Sequence, residues 1–391
     1  MYPNLYYAFK DLFGLDFKPL MIVNSFGFFV AISFLISAWL IVKEFKRKQA
    51  EGLLGYTESV VTIGKPATTS ELALNFILGF VFGFKILGAF FIAEAFNDPQ
   101  AFIFSGRGSW PAGIALGAFF AWVKWREKNK AKLAKPEQRT LRIWPSDRVG
   151  DITILAAVGG FLGAKIFDNL ENWDRFIQAP LENLISPSGL TFYGGLIVAT
   201  IVIAWYLRKH EISFIYTADT LAPILMLSYG LGRIGCQVAG DGDWGIVNNK
   251  PNPFSFLPDW AWAYDYPHNV NKEGILLPNC NWGEYCTHLP QPVFPTPLYE
   301  IVMGVALFGL LWFLRKRIKV AGRLFAIYLF VNGAERFLIE QIRVNTKQNF
   351  FGLHPTQAEI IACALMIAGV VLYLVAPKLK PMKPKNTVVV Q

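Results

Sequence analysis

The sequence predicts an all-α fold, a polytopic transmembrane helical bundle of about nine spans, with the N-terminus outside and the C-terminus inside. Three observations carry that expectation. The 391 residues are 53% hydrophobic and 17% charged, with a mean hydropathy of +0.36. The apolar residues come in blocks rather than amphipathic stripes, and a block of ~20 helical residues crosses ~30 Å of hydrocarbon. Basic clusters fall on every second connection between blocks, as cytoplasmic loops require. The 34 Phe and 12 Trp suit a chain whose solvent is lipid, because aromatic rings settle near the headgroups.

In order, the blocks lie near 20–42, 72–96, 110–125, 151–168, 189–207, 214–235, 297–314, 321–339 and 358–376. The third is short, which suits a tilted or partly re-entrant segment. The fourth, ILAAVGGFLGAKIF, is rich in small residues and suits a helix packed on other helices. Basic residues follow the first block (Lys43, Lys46, Arg47, Lys48), the third (from Lys124 to Arg148), the fifth (Arg208, Lys209), the seventh (Arg315 to Lys319) and the ninth (Lys378 to Lys385). The net charge of +9 is therefore mostly a topology signal, and no nucleic-acid partner is expected. The opening MYPNLYYAFKDLFGLDFKPL lacks a basic region and a small-residue cleavage site, so it reads as an interfacial segment on the outer leaflet. Cys280 and Cys286 fall in the long outer connection of about 237–296, where either a disulfide or two thiols is permitted. His268 and His288 lack regular ligand spacing, so no metal is expected.

Within a bilayer the informative residues are the costly ones. They gather at the outer ends of the later blocks. The sixth ends in LSYGLGRIGCQVAGDGDWG, with Arg233, Asp241 and Asp243; the seventh opens in FPTPLYE, with Tyr299 and Glu300. The eighth carries Asn332, Glu335, Arg336, Glu340 and Arg343, and positions 332, 336, 340 and 343 form one helical stripe. The ninth begins HPTQAE, adding His354, Gln357 and Glu359. Such residues can satisfy one another: Arg336 with Glu340, Arg233 with Asp241 or Glu300. Arginines converging on one depth from separate helices also make a receptor for phosphate, whose oxygens match the guanidinium fork. Lys85 and Glu94 in the second block read as structural polar groups.

These segments resemble the prolipoprotein diacylglyceryl transferase family. GLGRIGCQVAGDGDWG is similar to the family signature, in which Gly-Arg-x-Gly precedes a polar stretch and a closing Trp-Gly. GLTFYGGLI resembles its Ser-Phe-His-Gly-Gly segment, FPTPLYE its His-Pro-Ser-Gln-Leu-Tyr-Glu, and NGAERFLIEQIR its Tyr-Gly-x-x-Arg-x-x-x-Glu-x-x-Arg. The resemblance covers most of the chain except roughly 43–150 and much of 246–292. It implies transfer of the sn-1,2-diacylglyceryl group of phosphatidylglycerol to the lipobox cysteine of a prolipoprotein, forming a thioether and releasing glycerol-1-phosphate. Arg233, Arg336, Tyr193 and Glu340 then become the catalytic candidates. Asp241, Gly194, Gly195, Phe26, Tyr299, Glu300, Asn332, Arg343, His354 and Gln357 become the substrate-binding ones.

Several positions depart from the family pattern. Tyr193 stands at the histidine, Phe26 and Asn332 at tyrosines, Cys236 at an asparagine, and the Asp241-Gly242-Asp243 stretch is one residue longer. A phenol of ordinary pKa ~10 is a weak base, so Tyr193 suits hydrogen-bond donation, with His354 or Glu300 as alternative proton acceptors. Arg175, on an outer loop outside the motifs, is expected to be nearly silent.

The expected organisation is a single membrane-embedded transferase domain over 1–391, with a two-span insertion at about 43–150 and a periplasmic loop at about 237–296. Its expected partners are phosphatidylglycerol, a prolipoprotein signal peptide with its lipobox cysteine, and the lipid bilayer, without a cofactor. The expected location is a bacterial inner membrane. A lipid-binding homologue with altered chemistry is the nearest alternative. A small-molecule transporter is the more distant one, because neither repeats nor broken midplane helices are visible.

Overall fold

A long apolar block satisfies its backbone N–H and C=O groups without water only by coiling on itself, and each of the nine blocks holds a helix among the described residues of the computed structural model. The structure describes all residues except 93, 94, 96–101, 104, 187, 188, 190, 346–353, 383–386, 390 and 391. Glu94 lies outside the described residues. By length and composition, six helical stretches can cross a membrane: Ser25–Ala50, Thr69–Leu87, Pro145–Glu171, Phe214–Ala239, Thr296–Leu314 and Gln357–Lys378. Helices on the other three blocks fall outside that set. One of them, Arg323–Glu340, carries Arg323, Glu335, Arg336 and Glu340 in only 18 residues.

The chain divides into two compact units. The first comprises Met1–Leu15, Val23–Leu54 and Ile212–Pro384. It holds the short helix α1 (Leu5–Phe13) and α2 (Ser25–Ala50). The second comprises Asp16–Ile22, Gly55–Glu211 and Lys385–Gln391. There β1 (Thr57–Ile63) pairs antiparallel with β2 (Glu137–Ile143), from Thr57↔Ile143 to Ile63↔Glu137. The sequence reading expected helices alone. β1 was hidden because it is short and half polar, a signal that a search for apolar blocks passes over. This ladder joins the two ends of the segment that carries α3 (Thr69–Phe82) and α4 (Trp110–Lys130). Lys85, in the π-helical turn after α3, donates to the carbonyls of Phe102 at 3.0 Å and Arg107 at 2.8 Å, and to that of Ser105. That fits the structural role expected of it.

Also in the second unit, α5 (Val149–Glu171) leads through the short helices α6 (Trp173–Gln178) and α7 (Pro180–Ile185) to α8 (Phe192–Lys209). The small residues of α5 bring α8 close. A Cβ on Gly163 would stand 2.5 Å from the Gly194 carbonyl oxygen, so both backbones meet where neither residue has a side chain.

In the first unit follow α9 (Phe214–Ala239), α10 (Thr296–Leu314), α11 (Arg323–Glu340) and α12 (Gln357–Val375). Ala222, Met226, Leu311 and Leu324 form a buried core between α9, α10 and α11. Asp219 of α9 accepts from the backbone N–H groups of Gly322 at 2.7 Å and Phe325 at 2.9 Å, and so caps the start of α11. Nearby on α2, Glu44 pairs with Arg47 and with Arg315 at 3.2 Å, while Lys48 donates to the Tyr216 carbonyl at 2.6 Å. These contacts tie α2 to α9 and α10, and α9 to α11, at the ends near the basic clusters. At their other ends the same helices present the candidate site.

Candidate functional site

Arg233 leaves α9 two turns before the chain enters a glycine-rich turn at Gly240. Its guanidinium pairs with Asp243, and its Nε lies 3.1 Å from Glu300 Oε2. The sequence reading named Asp241 or Glu300 as partner. The structure brings Glu300 and substitutes Asp243 for Asp241. Asp241 instead accepts from the Asp243 backbone N–H at 3.4 Å and sits beside Cys236. The two carboxyls separate in character. Burial, then the Asp243 charge, pushes Asp241 up. Burial alone would raise Asp243 too, but Arg233 and Arg343 more than reverse this and hold it below the ordinary carboxylate range. The donor atoms of Cys236, Asp241 and Asp243 lie within 4.8 Å of one another. Of the three, Asp243 spends both oxygens on guanidinium groups and belongs to an ion-pair network.

Glu300, in the first turns of α10, is 0% exposed and is the hub of that network. Besides Arg233 it meets Arg336 Nη1 at 3.6 Å and Arg343 Nη1 at 3.5 Å. Arg336 also pairs with Glu340 one turn along α11, at 3.0 Å, as expected. Arg343 departs from the expected stripe, because α11 stops at Glu340 and Arg343 lies on the turn beyond. It reaches Asp243 at 2.5 Å because a backbone ladder carries it there. Gly245 forms a bridge with Arg343, and the Ile246 N–H donates to the Ile342 carbonyl at 2.9 Å. The approach needs a glycine, since a Cβ on Gly245 would stand 2.4 Å from the Ile342 oxygen. Thr296 Oγ1 donates to the Asp243 carbonyl at 2.6 Å and ties the same turn to α10.

The side chains of Arg233, Arg336 and Arg343 keep 17%, 24% and 11% of their surface exposed, so Arg336 is the most open of the three. Arg336 Nη1 and Arg343 Nε are buried nitrogens without a hydrogen-bond partner among the described residues. The cluster is therefore compensated in charge but not saturated in donors.

Other predicted residues fall outside this network. Asn332 donates to the Met226 sulfur at 3.6 Å, and Tyr299 donates to the Ala261 carbonyl at 3.0 Å. Phe26 is exposed at the start of α2, its Cα within 3.1 Å of where a Gly235 Cβ would be. His354 and Gln357 are exposed at the entrance to α12, and no hydrogen bond or ion pair joins either to the arginines among the described residues. Tyr193, Gly194 and Gly195 belong to the second unit, on the first turn of α8. In that unit Asp168 pairs with Arg175 at 2.7 Å, in the space a Gly189 Cβ would need, and Thr191 donates to Glu171 at 2.9 Å and to the Ala164 carbonyl. The segment leading to Tyr193 is thus pinned to α5 through Thr191, with the Asp168–Arg175 pair packed beside Gly189.

Sequence reasoning missed Tyr229. Its hydroxyl donates to Glu300 at 2.7 Å and stands 3.2 Å from Glu335 Oε1, and Arg233 lies 5.3 Å over its ring. The signal was present: Tyr229 precedes Arg233 by one helical turn and shares its face. In the long connection of about 237–296, Cys280 and Cys286 form a disulfide, and Trp282 between them stacks on Tyr7 at 4.7 Å and on His268 at 4.0 Å.

Comparison with known proteins bears on this geometry. Residues 109–375 match the family described as prolipoprotein diacylglyceryl transferase. A phosphatidylglycerol–prolipoprotein diacylglyceryl transferase of Shewanella sp. (strain ANA-3) is 29% identical over 251 residues, covering 62% of this chain and 81% of the relative. A Vibrio vulnificus (strain CMCP6) protein of the same name is 29% identical over 250 residues, covering 63% and 81%. One from Vibrio cholerae is 28% identical over 234 residues, covering 59% and 75%.

Proposed function

The chain belongs to the prolipoprotein diacylglyceryl transferase family, and from that premise we propose that it moves the sn-1,2-diacylglyceryl group of phosphatidylglycerol onto the lipobox cysteine of a prolipoprotein. The thiol sulfur attacks the glyceryl carbon that carries the phosphate ester. A C–S bond forms, the C–O bond breaks, and glycerol-1-phosphate departs with the electron pair. The nucleophile comes with the acceptor, so the protein's tasks are to hold the phosphodiester, stabilise the leaving phosphate and accept the thiol proton.

One observation supports this reading most directly. Three guanidinium groups gather on a buried carboxylate, with Arg336 Nη1 and Arg343 Nε lacking hydrogen-bond partners among the described residues. A phosphodiester carries one negative charge over two free oxygens and takes up such donors in pairs. Arg336 and Arg233 hold those oxygens and meet the charge that grows on them as the ester bond breaks. Glu340 and Asp243 aim the two arginines. Glu300 or His354 takes the proton, and Tyr193 stands as a further catalytic candidate because it occupies the family's histidine position.

The same reading makes 1–391 one transferase domain with a two-span insertion at about 43–150. It also assigns nine crossings of a bacterial inner membrane, the N-terminus outside and the C-terminus inside, with 237–296 in the periplasm. The test is transfer of a thioether-linked diacylglyceryl group to a lipobox peptide, with phosphatidylglycerol in detergent, alongside rescue of cells depleted of their own transferase. Absence of both, where an established family member succeeds, would move the chain to a lipid-binding homologue in which Tyr193, Phe26 and Asn332 mark altered chemistry.

A further inference from the structure

One buried acid of the arginine network has no part in the reaction outlined above. Glu335 precedes Arg336 on α11 and is 3% exposed. Arg336 turns to Glu300 and Glu340 instead, and no lysine or arginine nitrogen lies within ion-pair distance of Glu335 among the described residues. Glu335 Oε1 faces the Tyr229 hydroxyl at 3.2 Å, and its Oε2 has no hydrogen-bond partner among the described residues.

The same hydroxyl faces Glu300 at 2.7 Å, and a phenol has a single proton to donate. If that proton goes to Glu300, at the shorter distance, the phenol oxygen meets Glu335 lone pair to lone pair. The array closes when Glu335 brings a proton of its own and donates it to Tyr229, whose hydroxyl then donates to Glu300. Charge counting agrees. Within the ion pairs, Arg233, Arg336 and Arg343 stand against Asp243, Glu300 and Glu340, three against three. An ionised Glu335 would be a further buried anion without a counter-charge, a costly state. The groups facing it are Tyr229 and Arg233 from α9, Glu300 from α10 and Arg336 on its own helix. On α12, Glu359 is engaged by Thr356 and Gln341, Tyr373 lies under Arg323, and Cys363 is exposed.

We propose that Glu335 and Tyr229 form a proton-holding pair that sets how much negative charge Glu300 presents to the three arginines, and thereby how tightly they hold a phosphodiester. This rests on the transferase reading above, and both residues act as positioning residues. While Glu335 keeps its proton, the Tyr229 hydroxyl is committed to Glu300 and disperses its charge, which leaves the guanidinium donors freer for phosphate. When the proton is lost, Tyr229 is shared between two anions, and a second carboxylate competes for the arginines. Neither a phosphodiester nor a guanidinium titrates between about pH 6 and 10, so a pH response of phosphate binding comes from neither of them.

The test uses the full chain in detergent and reads KM for phosphatidylglycerol across that pH range. KM is chosen because kcat also carries the acceptor thiol, which titrates near ~8.5. In the wild-type protein KM rises about tenfold toward alkaline pH, the size of one hydrogen bond to a charged group. Glu335→Gln, whose amide donates at every pH, holds KM constant across the range. Tyr229→Phe raises KM about tenfold at neutral pH while kcat stays within about threefold. Infrared spectroscopy supplies a readout independent of activity: wild-type protein at neutral pH shows a protonated-carboxyl band that Glu335→Gln removes. A KM that climbs alike in wild type and Glu335→Gln, or a band that survives the substitution, overturns the proposal. If the wild-type protein transfers nothing, the transferase reading suffers. The infrared band and phosphatidylglycerol binding over the same pH range still decide the proton.

Discussion

An arginine whose charge is matched by neighbouring carboxylates can still lack hydrogen-bond partners, and that difference decides what the cluster does. Arg233→Ala and Arg336→Ala should each lower kcat/KM by at least ~2 kcal/mol, the usual size of a lost contact to developing oxyanion charge. Equal activity in both variants and wild type, measured by peptide lipidation, would remove the clamp. Tyr193 is tested by taking away its hydroxyl and nothing else. Tyr193→Phe should cut activity at least about tenfold, in line with loss of a hydrogen bond to a charged group. Tyr193→His should keep activity, because the site still suits the family's residue. If Tyr193→Phe is tolerated while Glu300 or His354 variants fail, the hydroxyl only fills space. At this scale the sequence revealed Arg233, Arg336, Glu340 and Glu300, because charge inside an apolar block is conspicuous. Tyr229 stayed hidden because a tyrosine near a membrane boundary is ordinary, and only its two carboxylate partners make it informative.

Elements bring these residues together through backbone contacts that charge patterns do not report. The turn after α9 and the turn after α11 touch at Gly245, whose hydrogens leave just enough room for the Ile342 carbonyl. Gly245→Ala should separate the two turns, part Arg343 from Asp243, and reduce transfer at least about tenfold, with thermal unfolding reporting the accompanying loss of about 1–3 kcal/mol from overpacking. Full activity in that variant would mean the turns yield without cost. In the second unit, Arg175→Ala should disturb the segment before Tyr193 by leaving the buried carboxylate of Asp168 without its partner. Arg175 is 54% exposed on its side chain, so the expected stability loss is only about 1 kcal/mol. Asp168→Asn should lose less than Arg175→Ala, since it removes the orphaned charge itself. The reverse order would show that the pair does not hold this segment.

For the whole molecule, the topology is open to direct reading. Reporter fusions after residues 48, 135 and 209 should report cytoplasm, and fusions within 255–285 should report the opposite side; an internal signal from 255–285 would invert the orientation and strand the arginines on the wrong face. Taken alone, the sequence determined that the chain is a helical membrane protein and where its long apolar helices lie, because in lipid a long apolar block has no other way to satisfy its backbone. It also marked Arg233, Glu300, Arg336 and Glu340, which the structure brings into one cluster, because a bilayer makes such charges costly. Tertiary structure alone decided how those charges are matched. Asp243 rather than Asp241 meets Arg233, Arg343 joins from beyond the end of α11, and β1 and β2 join the ends of the inserted segment. Each of these depends on backbones meeting from segments distant in sequence, and hydropathy and charge patterns along a chain carry no record of which distant segments will touch.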